Sequence, residues 1–241
     1  MRLLIAQLEC PITTDVEAFL AAAKGLTSAG GFHLYNPGGG LSPLALGSLL
    51  QEELGKEIYL HFHPADRNRA ALFSDLITAS ALRLEKVVLG SGQHPAKTRF
   101  PQAKPVYDLD LLQLLQMTQR VRAGFDPAGG SLEGAVPLQI GVSAQADSPV
   151  ELLRLKQMIE LGADYVFLRW PSKLLGFSQL QEIGRPIYLS LGLEELGKEG
   201  GDWRKVKDPP IAGINLRIPA GQETEGEEVL KWCSRYLSSE S

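Results

Sequence analysis

The stretch SPLALGSLLQEELGKEIYLHFHPADRNRAALFSDLITASALRLEKVVL, residues 42–89, decides the fold. Ser42-Pro43 reads as an N-cap followed by proline at the first helical position, where a missing N–H costs nothing. Leu44, Leu46, Leu49 and Leu50 carry that helix to a stop near Gly55. Residues 58–62 then form a short apolar run of β-branched and aromatic type, as strands prefer. From Asn68 onward, Ala71, Phe73, Leu76, Ile77 and Ala81 recur at helical spacing and give one broad apolar face, with Asp66 or Asn68 as the cap. Residues 86–89 are a second strand-like run. Helix and strand therefore alternate, which is the pattern of βα units building a parallel sheet.

The alternation extends in both directions. Residues 3–5, 32–35, 137–142, 165–168, 186–189 and 212–216 are further short apolar runs. Most lack polar alternation, which fits strands covered on both faces. Asp108 or Asp110 opens a helix through Leu111, Leu112, Leu114 and Leu115. Ser148 and Glu151 make a capping box with Pro149 at the first position, and that helix ends at Gly162. Thr224 and Glu227 form another such pair ahead of Val229, Leu230 and Trp232. Weaker helices are expected after Trp170 and after Leu191. About eight strands alternate with about eight helices and no Pro/Ser-rich linker intervenes. The simplest solution is an α/β fold, a single (β/α)8 TIM barrel spanning residues 1–241; an open doubly wound sheet uses the same local pattern.

Composition narrows the class of function. A net charge of −4 argues against a protein that coats nucleic acid, since phosphate binding needs surplus Lys and Arg. Two cysteines, Cys10 and Cys233, cannot build a disulfide framework. The opening MRLLIAQLECP is too short and polar for a secretory signal, and no run approaches the ~18 apolar residues of a membrane span. These features lead to the expectation of a cytoplasmic protein that engages neither membrane nor nucleic acid.

In a barrel of this type the active site is built at the C-terminal ends of the strands. That rule selects Glu9, Asn36 with the run Gly38-Gly39-Gly40, His61 and His63, residues 91–94, residues 143–145, Arg169, Trp170, Ser190 and Arg217. His61-x-His63 puts two imidazoles on one strand face, which could serve a metal but lacks the further ligands a metal site needs; the preferred expectation is no metal. Asp66-Arg67-Asn68-Arg69 reads either as a phosphate site at a helix start or as an ordinary capped, solvated start. The glycine run reads as a mobile turn or as a close-approach loop. Glu9 in an apolar mouth could serve as a general acid. Arg169 at a strand end suits ligand binding.

The run from Ser42 to Pro95, the stretch PQAKPVYDLDLLQLL from Pro101 to Leu115, and LLRLKQMIELGADYVFLRW from Leu152 to Trp170 resemble the methylenetetrahydrofolate reductase family. The resemblance is most specific over Asp66 to Arg69 and over Lys104 to Asp108, and covers about two thirds of the chain. It implies a barrel that binds FAD and is reduced by NAD(P)H or a protein electron donor. It also implies reduction of methylenetetrahydrofolate, or a related pterin, to the methyl form, and usually oligomers of like subunits.

Carried over position by position, His61, Ser91, Gly92, Tyr107, Arg154 and Lys156 would meet the flavin, and Gln93 and Arg169 the folate. Glu9 would be the general acid, unless the strand aligns without a gap and Gln7 takes that place. Gln93 stands where the family has Asp, and Arg169 where it has Gln, so altered chemistry is expected. The alternative is a noncatalytic or pterin-binding subunit of a methyl-transfer or reductase complex.

Overall fold

The computed structural model describes residues 2–170, 180, 182–193 and 211–238; the helices expected after Trp170 and after Leu191 lie outside the described residues. Eight parallel strands close into a barrel in sequence order: β1 (Leu3–Glu9), β2 (Gly31–Tyr35), β3 (Glu57–Phe62), β4 (Lys86–Leu89), β5 (Gln139–Ala144), β6 (Tyr165–Arg169), β7 (Ile187–Gly192) and β8 (Ile211–Ile218). Helices α1 (Glu17–Gly25), α2 (Pro43–Leu54), α3 (Arg69–Ala81), α4 (Leu111–Arg122), α5 (Pro149–Glu160) and α6 (Glu223–Ser238) flank it. Pairing of β1 with β8, from Leu3 opposite Gly213 to Leu8 opposite Ile218, decides for the barrel over the open sheet.

Local chemistry sets the helix starts. The Asn68 side chain accepts the Ala71 N–H at 3.0 Å, so Asn68 rather than Asp66 caps α3. Asp110 and Gln113 form a reciprocal capping box at α4. Ser148 accepts the Glu151 N–H at the start of α5, but the Glu151 carboxylate reaches one residue further back, to the Asp147 N–H. The box expected at Thr224 and Glu227 does not form. Helix α6 already begins at Glu223, and Glu227 instead holds the Thr27 and Ser28 hydroxyls and the Ser28 N–H, tying α6 to the loop before β2.

Strand alternation separates two cores. Phe32, Leu34, Leu60, Val87, Leu89 and Ile140 face outward onto Leu72, Leu76 and Leu114 of the helices. Ile5, Tyr59, Val88, Tyr165 and Phe167 face inward, with Tyr188 packed against them. The rings of Tyr59, Tyr165, Phe167 and Tyr188 lie 5.0–6.0 Å apart and mostly edge-on, so the barrel interior is filled rather than open.

Closure needs a glycine on β8. A Cβ on Gly213 would sit 2.0 Å from the Leu3 carbonyl oxygen of β1, and backbone cannot yield as a flexible side chain can. Gly213→Ala is therefore expected to destabilise by about 3 kcal/mol, the upper part of the range for overpacking. Gly25→Ala, with nothing within 4 Å of the added carbon, should leave stability nearly unchanged. Chemical denaturation of the two variants checks the contrast; equal midpoints would contradict this account of closure.

Candidate active site

Seven of the eight strands contribute a residue to one cavity of about 440 Å³ at the C-terminal end of the barrel: Gln7 (β1), His33 and Tyr35 (β2), His61 (β3), Ser143 and Ala144 (β5), Arg169 (β6), Ser190 (β7) and Arg217 (β8); Gly90, just after β4, completes the ring. Arg154 and Glu151 enter from α5. Three guanidinium groups thus line one concave surface. Among the described residues its one lining carboxylate, Glu151, already accepts the Asp147 N–H at 2.9 Å.

Beneath this rim runs a chain of buried polar groups. Asn215 on β8, wholly buried, donates through Nδ2 to Gln7 Oε1 at 2.8 Å and to Ser190 Oγ at 2.9 Å. Its Oδ1 lies 3.3 Å from His33 Nδ1, and His33 Nε2 lies 3.1 Å from His61 Nδ1. Phe167 stacks on His33, and Tyr35 meets His61 edge-on. Burial pushes His33 down to about 4, against a smaller opposing effect of its Asn215 bond. Burial also holds His61 well below the usual histidine range, with His33 and His63 adding to it. Both imidazoles are consequently neutral near pH 7.

His63 takes a different role from His61. Its Nε2 lies 3.0 Å from the Asn36 carbonyl oxygen and must donate to it, while Nδ1 faces the Asp66 carboxylate at 3.4 Å. The two histidines therefore do not converge on a metal. Among the described residues no group of three or more His, Cys, Asp or Glu side chains is placed to hold one.

The Gly38-Gly39-Gly40 run is a loop held by one side chain. Asn36 Oδ1 accepts the Gly38 and Gly40 N–H groups, and its Nδ2 donates to the Gly40 and Leu41 carbonyls. The Asp66–Arg69 segment is likewise occupied by the chain itself. Arg67 pairs with Asp75 at 2.7 Å, and the Asp108 carboxylate accepts the Arg69 backbone N–H at 2.7 Å. The anion expected at the start of α3 is thus Asp108.

The remaining expected site residues divide among three cavities, with Lys156 in none of them. His61, Ser91, Gly92, Gln93, Arg154 and Arg169 line the main cavity. Tyr107 is 81% exposed and lines an adjoining cavity of about 290 Å³, which shares Ser91, Gly92 and Arg154 with the main one; its hydroxyl lies 3.4 Å from His94 Nε2. Lys156 is exposed on α5 and lines none of the cavities described. Glu9 is exposed and lines a separate cavity of about 520 Å³ beside α1, whereas Gln7 lines the main one. Cys10 and Cys233 are buried thiols pushed up to about 12, in both cases chiefly by burial.

His33 and Asn215 were absent from the sequence-derived site. Strand parity carries their signal: Phe32 and Leu34 face the helices, so His33 between them faces the barrel, and Asn215 stands likewise between buried Ile214 and Leu216.

No family model matches the sequence, and no curated protein matches it. Solved structures do. The chain is similar to orotidine 5'-monophosphate decarboxylase from Methanocaldococcus jannaschii, in complex with the inhibitor BMP (TM-score 0.60, 11% identity, covering 98% of this chain and 99% of that one). It is also similar to 2,3-dimethylmalate lyase, a PEP mutase/isocitrate lyase superfamily member (TM-score 0.57, 12% identity, 97% and 78% covered). A third is a Burkholderia cenocepacia protein described as a lyase/mutase (TM-score 0.56, 11% identity, 96% and 80% covered). At this identity the likeness is one of fold.

These findings correct the folate-reductase expectation. The similar folds are a decarboxylase and lyases, and no match supports membership of the methylenetetrahydrofolate reductase family. With that membership fall FAD as cofactor, NAD(P)H or a protein as electron donor, a folate-type substrate, the flavin-dependent reductase activity and the partner-subunit alternative. The physical reason for the misreading lies in the two most specific segments. Arg69 and Asp108 belong one to each and bind each other, so those segments join α3 to the loop before α4 and have a scaffold role.

Proposed function

We propose that this chain is an enzyme that binds a small carboxylate- or phosphate-bearing molecule in the barrel mouth and transfers a proton at it through His61. The observation that carries this reading is one cavity lined by Arg154, Arg169 and Arg217 together with an imidazole that burial keeps neutral. Guanidinium forks match carboxylate and phosphate oxygens bidentately. A neutral imidazole at the same surface is the commonest form of general base. A volume of about 440 Å³ suits a small metabolite. The similar folds are named for anionic molecules of this size, a nucleoside monophosphate and a dimethylmalate, and for bond-breaking reactions, decarboxylase and lyase. Among the described residues no helix is long and apolar enough to cross a membrane, and two buried free thiols suit a reducing, cytoplasmic setting.

Thermal unfolding in phosphate, malonate and succinate tests the reading, with sodium chloride at matched ionic strength as the reference. A ligand present at a hundred times its dissociation constant adds about 2.7 kcal/mol of stability. At least one of the three anions is expected to raise Tm by several degrees beyond chloride. If none does, the proposed function is wrong.

A further inference from the structure

The proposed base owes its form to a residue that no ligand would touch. Asn215 Nδ2 has two acceptors, Gln7 Oε1 at 2.8 Å and Ser190 Oγ at 2.9 Å, on the strands either side of β8. With its donor group committed on both sides, the amide must present Oδ1 to His33, and Oδ1 can only accept. His33 Nδ1 therefore carries the hydrogen. In the neutral ring His33 Nε2 is then a bare acceptor, so the hydrogen between the two imidazoles belongs to His61 Nδ1 at 3.1 Å. That leaves His61 Nε2 without a proton. A carbon added at Gly90 would lie 2.4 Å from this nitrogen, so glycine there keeps the space in front of it clear.

We infer that Asn215 is a positioning residue: its amide, held by Gln7 and Ser190, locks the His33–His61 pair in the single tautomer that turns a bare Nε2 of His61 toward the barrel mouth. This inference deepens the proposed function and rests on it for its use, since only a bare Nε2 can accept a proton from a bound molecule. The proton balance is complete. A proton taken up at Nε2 makes His61 an imidazolium, and its Nδ1 proton can pass to His33 Nε2. The amide oxygen of Asn215 takes the proton no further, so the pair stores it and returns it through His61. Burial keeps the resting pair neutral, and an amide at 215, unlike a carboxylate, adds no negative charge that would favour the imidazolium. The other groups facing it are Tyr35 from β2, His63 from β3, Phe167 and Arg169 from β6, Gln7 from β1, Ser190 from β7 and Arg217 from β8.

The test uses the whole protein without ligand. Long-range proton–nitrogen NMR spectra of nitrogen-15 histidine-labelled protein at pH 7 distinguish the two neutral tautomers and the imidazolium. The expected result is protonation at Nδ1 in both His33 and His61. An Nε2-protonated or fully charged His61 overturns the inference. Asn215→Asp places a carboxylate beside His33 and should raise the His33 titration midpoint by roughly 1–3 pH units; an unmoved midpoint removes the role assigned to the amide. Should that variant fail to fold, Gln7→Leu combined with Ser190→Ala frees the amide, and is expected to introduce the Nε2-protonated form of His61. A spectrum identical to that of the native protein would be equally contrary. A bare Nε2 with no anion binding would defeat the functional reading and leave the tautomer lock standing; anion binding with the wrong tautomer would do the reverse.

Discussion

Acidification from pH 7 to pH 4 is expected to remove about 3 kcal/mol of folding stability through His33 alone. Burial lowers this imidazole from its ordinary 6.5 to about 4. Between those values the unfolded chain holds a proton that the native chain does not, so stability rises with pH across the interval. The contribution is complete above about pH 6.5 and is lost as pH falls toward 4. Each pH unit within it is worth about 1.4 kcal/mol. His61 acts in the same direction, because its pKa is also lowered, chiefly by burial. Glu227 acts at lower pH: burial pushes its carboxyl up, but bonds from Thr27 and Ser28 outweigh that and hold it below 4.5. Denaturant unfolding at pH 7, 6 and 5 measures the slope. His33→Gln should flatten it, and equal native stability at pH 7 and pH 5 would show that His33 does not enter the fold neutral.

The second large effect concerns binding. Replacing Arg169 and Arg217 together by Gln is expected to weaken binding of malonate or phosphate by roughly 10- to 100-fold for each charge removed, since a charge-assisted hydrogen bond contributes about 1.5–3 kcal/mol. Both residues line the same cavity, Arg169 at the end of β6 and Arg217 on β8, with β7 between these strands. Arg169 is exposed at that rim. Isothermal titration of native and doubly substituted protein checks the difference. Unchanged affinity would place the anion elsewhere, for example at the basic and acidic side chains around Arg99, Asp15 and Glu223 beside α1.

Much of the fold is legible in the residues. The caps at Asn68, Asp110 and Ser148 and the proline starts of α2 and α5 are local chemistry and fall where the side chains require. Closure is not local. Nothing in the stretch around Gly213 announces that Leu3, more than two hundred residues earlier, will press its carbonyl against it.

The site was legible by position and not by identity. The strand-end rule reached His61, Ser143, Arg169, Ser190 and Arg217 without reference to any family, and all five line the cavity. It missed His33 and Asn215 because they lie one pleat deeper, where polar residues in apolar strands look like interruptions. Similarity of sequence segments misled, since the best-matched ones hold each other through Arg69 and Asp108. Glu9 shows the limit of strand parity: it has the same parity as Ile5 and Gln7, yet it is exposed at the end of β1 beside a different cavity.

The most direct measurement is an NMR titration of the native protein with malonate and with phosphate at constant ionic strength, observing the ring resonances of its four histidines. The account predicts that those of His61 and His33 shift with one saturating curve for at least one anion, and that the shift disappears when Arg169 and Arg217 are both replaced by Gln. Histidine resonances that stay fixed, or drift linearly without saturation for both anions, would contradict a binding site in the barrel mouth.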